Sequence, residues 1–115
     1  MGKPVVHFEV IGRNGAALQK FYGELFDWKI NTDNPMNYGM VDTEGGSVGI
    51  NGGIGQNDNW QGATFYIAVD DIQAYLDKIE QAGGKTMMPV TDMGMVTIAI
   101  FTDPEGNAIG LVKDQ

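Results

Sequence analysis

His7 is the chain's only histidine, and Glu9 stands two residues beyond it in "KPVVHFEVIG". An imidazole titrates near neutral pH, so a histidine beside a carboxylate can serve as a general base or as a polar anchor for a ligand. The stretch is rich in Val, Phe and Ile and alternates with the period of a β-strand. That period puts Val6, Phe8 and Val10 on one face and His7 and Glu9 on the other. The apolar face needs a cover. The next segment, "NGAALQKFYGELFDW", supplies one, with Leu18, Phe21, Tyr22 and Leu25 at helical spacing.

The same arrangement returns later in the chain. "ATFYIAVDD" reads as a strand, followed by "DIQAYLDKIEQAGG" as an amphipathic helix. Asp70 or Asp71 stands where an N-cap belongs, and Gly83 and Gly84 form the stop. His7-Phe8-Glu9-Val10 aligns with Thr64-Phe65-Tyr66-Ile67, so Thr64, Tyr66 and Ala68 share the polar-side face and Phe65, Ile67 and Val69 the helix side. Three short strands follow each helix: "DWKINTD", "NYGMVDTEG" and "GSVGING" in the first half, "KTMMPV", "MVTIAIFTDPEG" and "NAIGLVKD" in the second. The closing turns also repeat, Asp42 to Ile50 against Asp103 to Leu111, which pairs Gly49 with Gly110. "DPEG" is turn chemistry, with proline at the second position and glycine at the fourth. "NGGIGQNDNWQG" is polar, glycine-rich and aperiodic, and reads as a linker carrying Trp60 as a candidate lid. Its "NGGIG" run is not followed by a lysine and a helix, so it is no phosphate loop.

These elements predict an α+β fold of two βαβββ modules forming a half-open sheet or barrel around a shared cavity. The whole is one domain over 1–115, with module 1 at about 1–50, a linker at about 51–62 and module 2 at about 63–115. The 115 residues suffice for one core. With a net charge of −8 and no basic cluster, nucleic acid is a poor partner. No stretch is long and apolar enough to span a bilayer, so a membrane is a poor partner as well. The chain has no cysteine, so neither disulfides nor thiolates are available; a cytoplasmic location suits this.

In "HFEV" followed by "FYGELFDW", in "VDDIQAYLDKIEQAGGK" and in "DPEGNAIGL", the chain resembles the vicinal oxygen chelate superfamily, which includes glyoxalases, bleomycin-resistance proteins and extradiol dioxygenases. The resemblance spans almost the whole chain and implies a single-domain glyoxalase-like protein that forms a homodimer. Enzymes of that family hold a divalent metal through one side chain on the first strand and one on the last strand of each module. Carried over, those positions are His7, Gly49, Thr64 and Gly110, of which only His7 is a good ligand. The expectation is therefore a degenerate site with no metal and no cofactor. It would bind a small organic molecule through His7, Glu9, Thr64, Tyr66 and Trp60. The alternative is a glyoxalase-like lyase, isomerase or dioxygenase acting through His7 and Glu9, and the sequence leaves open whether the protein is an enzyme.

Overall fold

The computed structural model describes residues 2–114. Its elements run β1 (Val5–Gly12), α1 (Gly15–Phe26), β2 (Lys29–Asn31), β3 (Gly39–Asp42), β4 (Gly52–Gln56), β5 (Gly62–Val69), α2 (Ile72–Gln81), β6 (Lys85–Asp92), β7 (Thr97–Thr102) and β8 (Ala108–Lys113). This is the βαβββ order twice over, and the fold is α+β. Residues 7–64 form one compact unit, and residues 65–114 with 2–6 form the other.

In the first unit the strand order is β2-β3-β4-β1, with β1 and β4 parallel and the other pairs antiparallel. The Asn14 side chain caps α1 by accepting from the Ala17 amide at 3.0 Å. The Gln19 amide reaches back to donate to the Ile54 carbonyl at 2.9 Å, fastening the helix to β4. Among the described residues, Val41 and Ile54 are the buried hydrophobic side chains of this sheet.

The second unit repeats the pattern as β5-β8-β7-β6, with β5 and β8 parallel. Asp71 caps α2 through the Ala74 amide at 3.1 Å. Beyond the helix, Gly83 adopts φ 103° and the Gly84 amide donates to the Ile79 carbonyl at 2.9 Å, the turn that a glycine stop permits. Ile72 and Leu76 of α2 pack on Val69, Ala99 and Leu111 to make the core, with Ile67, Tyr75, Ile79 and Phe101 around it. In the closing turn Asp103 accepts from the amides of Glu105 and Asn107 and from the Asn107 side chain. Those bonds, with the Asn107 side chain first, hold the carboxyl below its usual range.

Three sequence expectations need correction. The last strand of the first module is not at Ser47–Ile50. That stretch is part of a turn in which the Val48 and Gly49 amides both donate to the Gly45 carbonyl, and Val48 is almost fully exposed. Glu44 and Gly46 both have positive φ there, which coils the chain away from the sheet. The strand instead lies at Gly52–Gln56, inside the segment expected to be a linker. Its glycines suggested a flexible loop, yet Gly52, Gly53, Ile54 and Gly55 are all buried, because bulky neighbours stand where side chains would be. Phe65 was expected under α2, but it remains 39% exposed and is not part of the core cluster.

Candidate functional site

β1 carries His7 and Glu9 as the alternation requires, and Phe8 turns the other way to meet Trp28, with ring centroids 5.4 Å apart. Trp28 in turn stacks on Tyr22 of α1 at 5.5 Å. With Phe8 taken up on the helix side, the polar side chains share the opposite face.

The residue that joins them is Tyr38, which no sequence motif singled out. Its hydroxyl donates to Glu9 Oε2 at 2.8 Å and lies 3.1 Å from His7 Nε2. The Tyr38 and His7 rings are nearly parallel, with centroids 6.5 Å apart. Tyr38 itself is firmly placed. The Asn34 side chain accepts from the Tyr38 amide at 2.9 Å and donates to its carbonyl at 2.7 Å, closing the turn that leads into β3. Burial pushes the His7 imidazole below its ordinary value near 6.5, so it is neutral at neutral pH. The cluster thus offers a neutral imidazole and a carboxyl, each within hydrogen-bonding reach of the same phenol.

The β1–β4 register explains how the phenol finds room. Glu9 stands opposite Gly53, and a Cβ built on Gly53 would fall inside the Tyr38 phenol. In the second module Tyr66 stands opposite Gly110, and a Cβ on Gly110 would fall inside the Tyr66 ring. Each glycine is therefore required by a tyrosine that fills its side-chain space. The ladder also moves the first-module position from Gly49, which the repeated turn suggested, to Gly53. The conclusion that a glycine stands there is unchanged, but its address is not.

Trp60 follows β4 and is half-buried; a Cβ built on Gly62 would stand 3.9 Å from its ring. Thr64 is half-buried on β5, and Tyr66 is buried. An open apolar groove of about 520 Å³ runs between the end of β1 and α1, lined by Val10, Ile11, Leu18 and Phe21; it contains none of the predicted site residues.

The sequence profile of the Glyoxalase/Bleomycin resistance protein/Dioxygenase superfamily matches residues 5–111. The chain belongs to that superfamily. Among similar proteins is CFP32 of Mycobacterium tuberculosis, named as a candidate glyoxylase, at 36% identity in an alignment 108 residues long that covers 84% of this chain and 40% of that protein. The chain thus spans well under half the length of that relative. A glyoxylase-like domain-containing protein of Didymella fabae is 31% identical over 76% of each chain. Among solved structures, a superfamily member from Vibrio splendidus superposes with a TM-score of 0.66 at 14% identity, covering 98% of this chain and 100% of that one. Methylmalonyl-CoA epimerase from Mycobacterium tuberculosis gives 0.64 at 13% identity over 96% and 87%. These structures share the fold.

The divalent metal that the superfamily implies does not fit these residues. Neither Gly53 nor Gly110 has a donor, and tyrosine rings take the space a donor side chain would need. Among the described residues no group of three or more His, Cys, Asp or Glu could hold a metal ion. One imidazole and one carboxylate, bridged by a phenol, make a hydrogen-bonding site rather than a Lewis-acid site.

Proposed function

We propose that this superfamily member binds a small organic molecule without a metal, using His7, Glu9 and Tyr38 as its polar centre. The observation that carries the reading is the Tyr38 hydroxyl held between Glu9 and His7 in the space that Gly53 leaves. A neutral imidazole and a phenol suit an aromatic or weakly polar ligand, which avoids the cost of desolvating an unpaired charge. Thr64 and Trp60 are proposed as further ligand contacts. The protein works as a cytoplasmic homodimer in this reading, with β2 and β6 as sheet-edge strands open to pairing. A thermal-shift screen of metabolites and metals, followed by calorimetry, tests it. A hit whose affinity drops in His7→Ala and is indifferent to chelators supports the reading; unchanged affinity in His7→Ala, or metal-dependent binding, overturns it.

A second reading is favoured by the lowered pKa of His7. An imidazole that is neutral at neutral pH can take a proton, and superfamily relatives carry the names glyoxylase and epimerase. In that reading His7 and Glu9 move a proton on the bound molecule, as in a lyase or isomerase. Turnover of a screened ligand that is abolished by His7→Ala distinguishes it from binding alone.

A further inference from the structure

A phenol has one proton to give. The Tyr38 hydroxyl donates that proton to Glu9 Oε2, so its oxygen can meet His7 Nε2 only as an acceptor. The 3.1 Å contact then requires His7 to carry its proton on Nε2. The hydrogen bonds run in one direction: His7 Nε2–H to Tyr38 Oη, and Tyr38 O–H to Glu9. We infer that Tyr38 is the positioning residue of this site, fixing His7 as the Nε2–H tautomer with the lone pair on Nδ1. This goes beyond the proposed function and rests on it only in placing His7 at the ligand.

Two independent features hold the chain of bonds in place. Asn34 clamps both backbone groups of Tyr38 and sets where the ring can point. Gly53 leaves the phenol its volume, and any side chain there would push it away from Glu9 and His7. Gly55 adds to this from further along β4, since a Cβ there would come within 2.9 Å of the Tyr38 ring. Three positions on two segments thus converge on one hydroxyl, and the tautomer of His7 is their joint product.

The chain has a single histidine, so ¹⁵N-histidine labelling gives a spectrum of His7 alone. The wild-type protein at neutral pH should show the Nε2–H tautomer, with a direct cross-peak from a proton shielded from water. In Tyr38→Phe, which keeps the ring, that proton should exchange faster by roughly two- to tenfold, the weight of one ordinary hydrogen bond. The two ring-nitrogen shifts should also move toward each other. Gly53→Ala should do the same by displacing the phenol; if that variant does not fold, Tyr38→Phe decides alone. An Nδ1–H tautomer in the wild type, or identical Nε2 shifts and exchange in wild type and Tyr38→Phe, would overturn the inference. The readout needs no ligand, so its failure is separate from a failure of the ligand-binding reading.

Discussion

The two modules repeat the same strand-pairing pattern but cover their glycines differently. In the second, Tyr66 sits directly opposite Gly110 and fills the space itself. In the first, the equivalent position is Glu9, and the ring arrives instead from the turn before β3, as Tyr38. That exchange turns a packing contact into a hydrogen-bonded cluster of imidazole, phenol and carboxyl. The helices diverge as well. α2 buries Ile72 and Leu76 and keeps Gln73, Asp77 and Glu80 outward, whereas α1 leaves Phe21 53% and Leu25 61% exposed. The second module is organised around its core, the first around its polar face. One supersecondary template supports both because the sheet ladder fixes the backbone, and the side chains at a few register positions decide the rest.

The comparison can be broken most readily at the helices. Leu76→Ala should destabilise the protein by about 2–5 kcal/mol through lost burial and a cavity, while Leu25→Ala should stay within about 0.5 kcal/mol. Urea denaturation measures both, and similar losses would contradict the contrast. Gly53→Ala and Gly110→Ala should each cost about 1–3 kcal/mol, because backbone or ring must shift to admit the methyl group. Only Gly53→Ala should also disturb His7.

Tyr38→Phe should cost about 0.5–1.5 kcal/mol, with the fold intact by circular dichroism. The smallest effect is on pH. The folded pKa of His7 lies below its unfolded value near 6.5, so the unfolded state takes up a proton first as the pH falls. The stability contributed by keeping His7 neutral is fully present above about pH 6.5 and lost as the pH drops through that value toward the lowered folded pKa. His7→Gln should flatten this part of the stability profile, and an unchanged profile would place its cause elsewhere.

Much of this was legible in the sequence. The alternation in "VVHFEV" placed His7 and Glu9 together, because strand periodicity is local. The α2 cap at Asp71 and the glycine stop were likewise local signals. β4 was not legible. Composition makes "GGIGQ" look like a loop, and only the surrounding rings of Phe8 and Tyr38 show why glycines form a buried strand there. The repeated turn misled for a related reason: the first copy is longer, so aligning it by residue type put Gly49 where the ladder puts Gly53. Tyr38 lies 29 residues from Glu9 and has no motif around it. The one available hint was an Asn-x-x-x-Tyr spacing, Asn34 to Tyr38, that closes a side-chain-clamped turn.

The account stands or falls on where a ligand binds. Amide chemical shifts followed during titration of the first small molecule returned by the screening panel test this most directly. The largest changes should fall at His7, Glu9 and Tyr38, and they should shrink in Tyr38→Phe. Changes confined to the apolar groove at Ile11, Leu18 and Phe21, with His7 and Tyr38 unmoved, would contradict it.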